Sequence, residues 1–497
     1  MRKELLVNAT PPETRVAVLE DGRVVEVMHE RRGRQGLVGN VYLGRVHRVL
    51  PGIQAAFVAI GLDRDAFLYV EDAIAHPVEA EPGAGEDAAE PDDAAVDRPR
   101  IDDLVKEGQE IVVQVTKDPV GAKGPRITAS ISLPGRTLVY LPGARDTGIS
   151  RRVEDDEERA RLRAVLESMP GEGGWIARTA ALGKSAADLA SDRAYLTALW
   201  ERVGKRRASA GPPALLHREL ELALRAVRDV ASDDVDVIRV DDAGVLARMR
   251  EFLEEAAPPL ARRLGLYSEE EPLFSRFGVE VEIEDALKSR AALASGGSIV
   301  IHQTEALVAI DVNTGRFVGK DDLEETVFAA NLEAAREVAR QIRLRDLGGL
   351  LVVDFIDMED PEHRQELFST FEAELARDRA RTRLLQISEF GLIEITRQRS
   401  RGNLERVLTR SCTECGGSGR IKTDLTVALD LRRSLLTPPV LFSPGETVRV
   451  RVRPGVARLL VEEDPRILEE VEKTLDVRVE LTAEDSMSGF EIDRGDG

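Results

Sequence analysis

Alternating apolar and polar positions predict a small β-barrel in the first quarter of the chain. Short β-prone segments separated by glycines occupy residues 37–70, and strand patterns resume at 110–116 and at 126–132. This spacing is typical of a barrel that carries the intervening residues as an insertion. We therefore expect an all-β domain near the N-terminus.

Helical and strand-like patterns are mixed after the barrel. Residues 153–168 and 244–256 predict helices, 215–231 has helical periodicity, and 235–240 predicts a strand. The Gly-, Pro- and Arg-containing stretch 204–214 predicts a linker or a domain edge.

The clearest pattern covers residues 297–357. Ser298–His302, Ala306–Val312 and the apolar run 348–355 predict strands, and Asp321–Arg345 carries apolar residues at helical spacing. A strand, a long helix and a further strand imply an α/β sheet layer.

Acidic side chains stand at the ends of two of these predicted strands. Asp311, with Asn313 beside it, precedes a Gly-containing turn, and Asp354 ends the strand beyond the helix. If the two strands are parallel neighbours, both carboxylates lie at one edge of the sheet. Two carboxylates about 4 Å apart repel by roughly 4 kcal/mol at an effective dielectric of 20, so the pair favours a cation or a shared proton.

Oxygen donors of this kind suit Mg²⁺ that keeps several waters for substrate phosphates, and phosphodiester hydrolysis is the matching chemistry. The alternative is that these aspartates only form turns and helix caps. Capping is the role we expect for Asp357, which follows the second strand.

Aromatic and basic residues on the predicted barrel suggest nucleic-acid binding. Phe57 and Phe67 lie on barrel segments, where surface aromatics of such folds stack single-stranded bases. Lys117 and Lys123 fall in a loop beside the barrel strands. Burial of both phenylalanines in the barrel core is an equal alternative.

Two further motifs are candidates for ligand binding. Arg178 and Thr179 are an adjacent cation and hydroxyl that could bind a terminal phosphate, with an ordinary surface turn as the alternative. Cys412 and Cys415 form a CxxC motif, and structural zinc takes four ligands, so two chains of a symmetric dimer would fill one site. A thioredoxin-like redox motif is the alternative.

Composition agrees with a globular protein. The 497 residues are 42% hydrophobic and 32% charged, too apolar for a disordered chain. No apolar run approaches the roughly 20 residues of a membrane span, and the N-terminus lacks the apolar core of a secretory signal. We expect a cytoplasmic location with reduced cysteines.

The net charge of −21 counts against a nucleic-acid partner, but its distribution weakens that objection. Glu71 to Asp103 contain twelve acids and two arginines, a local net charge of −10. Residues 79–99 within this segment predict a flexible acidic insertion. The rest of the chain is only mildly acidic.

Six motifs taken in order resemble the ribonuclease E/G family, from about residue 4 to about residue 435. They are GNVYLGRV, LPGIQAAFVAIG, ARTAALGKSAADL, ASGGSIVIHQTEALVAIDVNTG, NLEAAREVARQIRLRDLGGLLVVDFIDM and CTECGGSG. The chain departs from the family pattern at His302, where members carry Asp, and at Thr413, where they carry Pro.

The resemblance implies a multidomain α/β plus all-β fold, with an S1 (OB-type) barrel inserted in an RNase H-like subdomain. The implied domains are 1–36 and 223–286 (RNase H-like), 37–126 (S1, with the insertion 79–99), 127–222 (5′-sensor), 287–408 (DNase I-like, catalytic), 409–420 (zinc link) and 421–497 (small C-terminal domain).

The resemblance also implies roles for individual residues. Asp311 and Asp354 would bind Mg²⁺ with support from Asn313, and Arg178, Thr179 and the Val139 backbone would bind a 5′-monophosphate. Phe57, Phe67 and Lys123 would bind RNA. Cys412 and Cys415 would hold a zinc shared between two chains.

A member of this family would be a Mg²⁺-dependent endoribonuclease that cuts single-stranded RNA, leaves a 5′-phosphate and a 3′-hydroxyl, and prefers 5′-monophosphorylated ends. Its substrates would be ribosomal RNA precursors and mRNA. It would form a homodimer, with a higher oligomer left open. The alternatives are a ribonuclease E without its scaffold and a non-catalytic S1-type RNA-binding protein.

Overall fold

The computed structural model describes residues 2–32, 36–74, 99–119, 123–153, 155–169, 171–231, 234–314, 323–385, 391–398, 403–437, 442–485, 487 and 489–493. The predicted acidic insertion 79–99 lies outside these residues apart from Pro99. The chain divides into two compact units, Met1–Val407 and Leu408–Gly497.

A five-stranded sheet joins the N-terminus to the middle of the chain. Its strands, in spatial order, are Leu264–Leu266, Val235–Val240, Lys3–Ala9, Glu13–Glu20 and Arg23–Arg31. The predicted strand at 235–240 is confirmed and lies parallel to Lys3–Ala9. The helices of this region are Leu222–Asp229, Ala243–Ala256, Pro258–Ala261, Leu273–Arg276 and Val279–Ala286.

The predicted barrel is confirmed and is closed by five strands. They are, in spatial order, Val41–Leu50, Ala55–Ala59, Ala66–Tyr69, Arg126–Thr128 and Glu110–Lys117, the last pairing with the first. A Cβ atom on Gly44 would lie 2.6 Å from Val58 Cγ1, so the packed interior requires glycine there. A short helix, Ile101–Leu104, precedes the strand Glu110–Lys117 along the chain.

A smaller sheet and two long helices follow the barrel. The strands, in spatial order, are Thr147–Ile149, Gly174–Ala177, Leu138–Leu141 and Leu133–Pro134, and the helices are Asp156–Ser168 and Ala186–Ser209. The helix predicted at 153–168 is therefore confirmed.

Two predictions in this region are wrong. The first half of the predicted linker 204–214 belongs to the helix Ala186–Ser209, whose last turn carries Arg206 and Arg207, good helix formers that complement the helix dipole. The periodicity assigned to 215–231 divides into a strand, Ala214–His217, which pairs with the barrel, and the helix Leu222–Asp229.

The α/β layer predicted at 297–357 is confirmed as a six-stranded sheet. Its strands, in spatial order, are Arg290–Ala292, Ser298–Gln303, Leu307–Asn313, Gly349–Asp354, Leu392–Arg397 and Thr382–Leu384. Only the central pair is parallel. Residues of the helices Leu323–Leu344 and Pro361–Leu375 share one hydrophobic core with this sheet.

The second unit has its own core and a three-stranded sheet. The strands, in spatial order, are Arg478–Ala483, Thr447–Val452 and Phe490–Asp493, and the helices are Asp424–Leu436, Pro454–Arg458, Leu459–Glu463 and Arg466–Leu475. The helix Leu404–Leu408 ends at the division between the units. Among the described residues, no helix is long and apolar enough to cross a membrane.

Candidate functional site

Strand register places Asp311 directly opposite Asp354. The strands Leu307–Asn313 and Gly349–Asp354 are parallel neighbours, and these two residues are paired across them. Val308, Ile310 and Val312 are buried, whereas Asp311 is exposed, so the acids share the open face of the sheet near the carboxyl ends of both strands. The expected pairing of the two carboxylates is confirmed.

The charge of this pair is not balanced by the protein. The Asn313 Nδ2 donates to Asp311 Oδ2 over 2.6 Å, which orients that carboxylate without neutralising it. Partial burial, Asp311 and Asp357 together raise the pKa of Asp354 above its usual range. No basic side chain among the described residues pairs with Asp311 or Asp354.

The two aspartates and the neighbouring amide could supply oxygen ligands to a hard cation. The described part of the chain contains no group of three or more His, Cys, Asp or Glu side chains arranged around a metal position. Two carboxylates are nevertheless sufficient for Mg²⁺, which usually keeps several waters and takes one or two carboxylates from the protein. The residues therefore fit this ion.

A buried asparagine fixes the segment that follows Asp354. Asn331 is fully buried in the helix Leu323–Leu344, donates to the Ile356 carbonyl over 2.7 Å and accepts from the Ile356 N–H over 3.1 Å. The capping role expected for Asp357 is wrong, because Asp360 caps the helix Pro361–Leu375. Asp357 instead adds negative potential at Asp354.

Arg178 lies in a charge network on a different sheet from the two acids. It follows the strand Gly174–Ala177, and its Nη1 donates to the Gly135 carbonyl and, over 3.0 Å, to Asp229 Oδ1. Asp229 also accepts from Arg228, which in turn donates to Glu219 over 2.7 Å. Although burial opposes ionisation, the two arginines lower the pKa of Asp229.

The other residues predicted to bind a terminal phosphate lie close to Arg178 in the fold. Thr179 follows it directly and is exposed. Val139 is buried in the neighbouring strand, where Leu138 pairs with Ala177. Among the described residues, the Nε and Nη2 atoms of Arg178 have no hydrogen-bond partner, because both of its bonds use Nη1.

A row of aromatic and basic residues crosses the outside of the barrel. Phe57 and Phe67 are paired across neighbouring strands, both half-buried, with ring centroids 5.8 Å apart in an edge-to-face arrangement. Strand pairing continues the row on both sides. We call the following five residues the barrel row: Arg48, Phe57, Phe67, Arg126 and Lys117.

The direction of the Phe57 and Phe67 side chains decides between base stacking and burial in the barrel core. Their chain neighbours Ala56, Val58 and Leu68 are fully buried, so Phe57 and Phe67 point outward instead of filling the barrel core. Arg48 was not predicted from sequence, because only strand register brings it beside Phe57. Lys123 is exposed and precedes the strand Arg126–Thr128, outside the row.

Cys412 and Cys415 lie in the second unit, both reduced, with Cys412 exposed. The backbone N–H groups of Gly417 and Gly419 and the thiol of Cys412 hydrogen-bond the Cys415 sulfur and lower its pKa. Gly416, Gly417 and Gly419 all have positive φ, which wraps the backbone around that sulfur. A cysteine sulfur surrounded by hydrogen-bond donors in this way suits zinc.

Comparison with known proteins identifies the family of this chain. A sequence model of the ribonuclease E/G family matches residues 132–400. Ribonuclease G of Escherichia coli (strain K12) is 43% identical over 485 residues, covering 97% of this chain and 97% of that protein. The chain belongs to the ribonuclease E/G family.

Within this family, the similarity is not uniform. Ribonuclease G of Haemophilus influenzae is 42% identical over 483 residues, with 97% of this chain and 96% of that protein covered. Ribonuclease E of Escherichia coli (strain K12) is 37% identical over 491 residues, which cover 98% of this chain and 45% of that protein. The chain therefore resembles these ribonuclease G proteins more than this ribonuclease E, both in identity and in the share of the relative's own length that is covered.

Proposed function

We propose that this chain is a Mg²⁺-dependent endoribonuclease of the ribonuclease G type that cuts single-stranded RNA. The observation that carries the proposal is the opposed pair Asp311 and Asp354 on an open sheet face, with no protein cation beside it among the described residues. Family membership over nearly the full length supports the same activity.

Asp311 and Asp354 would hold the metal ion, and Asn313 would keep the Asp311 carboxylate oriented through its hydrogen bond. Mg²⁺ bound there supplies a water of lowered pKa and stabilises negative charge on the scissile phosphate. Asn331 holds the backbone after Asp354 and so keeps this carboxylate in place. The products would carry a 5′-phosphate and a 3′-hydroxyl.

The barrel row would bind the RNA strand. Aromatic faces stack bases of any sequence, and basic side chains on both sides follow the phosphate backbone. The row offers two half-exposed rings between Arg48 and the pair Arg126 and Lys117. Since stacking needs unpaired bases, this arrangement favours single-stranded over double-stranded RNA, and Lys123 would add a contact beyond the row.

Arg178, Thr179 and the Val139 backbone would form the 5′-monophosphate pocket. The Arg178 side chain is 25% exposed and keeps two of its nitrogens available while Asp229 fixes its position. A planar guanidinium held in this way suits a terminal phosphate. Since this network and the acid pair lie on different sheets, the pocket would select substrates without taking part in cleavage.

Cys412 and Cys415 would bind zinc together with the same pair of a second chain. One chain provides two thiolates, and a structural zinc site takes four ligands. The resulting assembly would be a homodimer, and two such dimers could associate further into a larger oligomer.

Family membership also supports a proposal for the finer architecture and the biological role. We propose that the five-stranded sheet is an RNase H-like subdomain, the barrel an S1 domain, 127–222 a 5′-sensor region and 287–408 a DNase I-like catalytic subdomain. The zinc link and the small C-terminal domain would complete the chain. The enzyme would act in the cytoplasm on ribosomal RNA precursors and mRNA.

A cleavage assay tests the proposal. A 5′-monophosphorylated single-stranded RNA labelled at its 3′ end is incubated with the full chain and Mg²⁺, with EDTA, and with Mg²⁺ restored in excess over EDTA. We expect internal cleavage only when Mg²⁺ is available, and products whose new 5′ ends accept an adaptor by ligation without prior phosphorylation. RNA binding without cleavage under every condition would overturn it in favour of a non-catalytic RNA-binding protein.

A further inference from the structure

A polar cavity of about 180 Å³ lies at the edge of the six-stranded sheet, apart from the sites described above. A cavity of about 10–15 Å³ is enough for a single water molecule, so this cavity has room for a small anion. We call it the Arg345 cavity. Its polar lining includes Lys288, Ser289, His302, Gln303, Arg345, Asn403 and Glu405.

Arg345 is a buried cation without a carboxylate partner at salt-bridge distance among the described residues. Its side chain donates to two neutral oxygens, the Gln341 amide over 2.6 Å and the Lys288 carbonyl over 2.8 Å. The residue is only 7% exposed, and its Nη2 has no hydrogen-bond partner in the described part of the chain. Burial lowers the pKa of Arg345 to about 10, against a weaker opposing effect of Glu405.

Two other buried arginines of this unit are paired with acids. Arg397 pairs with Asp378, and Arg228 pairs with Glu219. Buried charges in proteins are normally compensated in this way. Arg345 has no such pair among the described residues, which leaves a positive site that a bound anion would neutralise.

Other hydrogen-bond donors of the cavity are also available. Gln303 uses its Oε1 to accept from Asn403 over 2.7 Å, which leaves its amide N–H groups without a partner in the described part of the chain. His302 also lines the cavity, but its side chain lies on the opposite face of the strand from that of Gln303. Lys288 adds a second cation at the rim, paired with Asp285 over 2.7 Å.

We propose that the Arg345 cavity binds a phosphate group, with Arg345 and the Gln303 amide as its donors. The anion site follows from the uncompensated arginine, whereas the choice of phosphate rests on the proposed function. Gln303 is three residues along the strand from Val300, which pairs with Asp311. That is about 10 Å along the strand, close enough for one RNA to reach both sites.

Amide hydrogen exchange measured by mass spectrometry tests the site without Mg²⁺, so that cleavage plays no part. The probes are inorganic phosphate and a single-stranded RNA with a 5′-hydroxyl, each at fixed ionic strength. We expect phosphate to slow exchange at residues 286–289 and 301–303. If RNA also slows exchange there and phosphate competes with it, the ligand is an RNA phosphate; if only inorganic phosphate acts, the ligand is a free phosphate.

Three variants locate the effect. Gln303→Glu replaces the amide donor with a carboxylate of the same shape and should raise the apparent dissociation constant for phosphate at least about tenfold, as should Arg345→Gln if it folds. Arg290→Gln removes an exposed cation of the same sheet edge that does not line the cavity, and it should behave like the unmodified chain. Absence of protection with both probes, or equal protection in Gln303→Glu, would overturn the proposal.

Because the exchange measurement does not depend on cleavage, the cavity proposal and the proposed function can fail independently of each other. Loss of this site with normal Mg²⁺-dependent cleavage would refute the cavity alone. Phosphate binding in a chain that never cleaves RNA would refute the endoribonuclease alone.

Discussion

Two charged regions of the first unit differ in how their charges are balanced. On the open sheet face, Asp311 and Asp354 lie opposite one another without a basic partner among the described residues. In the buried network, Asp229 accepts hydrogen bonds from both Arg228 and Arg178. The pKa of Asp354 is raised, whereas the pKa of Asp229 is lowered.

The difference separates residues whose charge a ligand would balance, such as Asp311 and Asp354, from residues such as Asp229 whose charge is balanced within the fold. Opposed acids destabilise one another until a cation joins them, whereas a compensated buried pair stabilises the surrounding structure once it has formed. Arg178 belongs to both categories, because one of its nitrogens binds Asp229 and two others have no described partner. Substitutions in the two regions should therefore affect different measurable properties.

Substitution of Asp354 should have the largest effect on activity. Asp354→Asn removes one of the two charges that would hold Mg²⁺, so the cleavage rate should fall by orders of magnitude while RNA binding persists. The free energy of unfolding should stay equal or rise, because repulsion with Asp311 is relieved. Single-turnover cleavage and urea denaturation measure both quantities.

Asp357→Asn is the matched control for that substitution. It removes a neighbouring acid that also acts on Asp354 but that we do not propose as a metal ligand. Its cleavage rate at saturating Mg²⁺ should remain close to that of the unmodified enzyme. Equal losses in the two variants would mean that general negative potential, and not a specific metal ligand, is what the reaction needs.

The buried network should respond in the opposite way. Arg228→Met leaves Asp229 and Glu219 without their shared cation and should lower the free energy of unfolding by about 3–5 kcal/mol. Cleavage per folded molecule should change far less than in Asp354→Asn. A stability change below about 1 kcal/mol in urea denaturation would contradict the assignment of this network to the fold.

The cysteine pair extends the comparison to the second unit, since its thiolates are also anionic donors that can take a metal. Structural zinc binding contributes roughly 10–16 kcal/mol in small peptides, so removing both ligands should weaken the dimer strongly. We expect about one zinc for every two chains, and mostly monomer with reduced activity for Cys412→Ser with Cys415→Ser. Native mass spectrometry reads mass and metal content together, and a stable metal-free dimer would refute the shared site.

Arg178→Ala should have the smallest effect on cleavage itself. It should remove the preference for 5′-monophosphorylated over 5′-hydroxylated RNA, which paired cleavage assays measure, without abolishing cutting. Some stability should also be lost, because the Asp229 carboxylate keeps only Arg228 as a described partner. An equal loss of rate on both RNAs in folded protein would instead place Arg178 in the catalytic machinery.

Sequence periodicity was sufficient for the elements with one dominant pattern. The barrel strands and the parallel strands that carry Asp311 and Asp354 follow from alternation and apolar runs. The helix through Ser209 did not, because Gly204 and the prolines that follow it resemble a linker while local helix propensity continues. The strand Ala214–His217 was missed because a short apolar run fits helical and strand periods equally well.

Residues whose role depends on tertiary register could not be predicted. Asn331 is one polar position in an amphipathic helix, and only the fold shows that it is fully buried against the Ile356 backbone. Arg48 becomes part of the barrel row through its pairing with Phe57 in the next strand. Asp357 and Asp360 both precede a helix, and only backbone geometry identifies Asp360 as the cap.

The central claim is that Asp311 and Asp354 together form a divalent metal site. Electron paramagnetic resonance of Mn²⁺, used as a probe for Mg²⁺, counts bound ions in the zinc-loaded chain and in its Asp311→Asn, Asp354→Asn double variant. The account predicts a bound Mn²⁺ in the unmodified chain that Mg²⁺ displaces, and loss of that ion in the double variant. Equal Mn²⁺ binding by both proteins would contradict it.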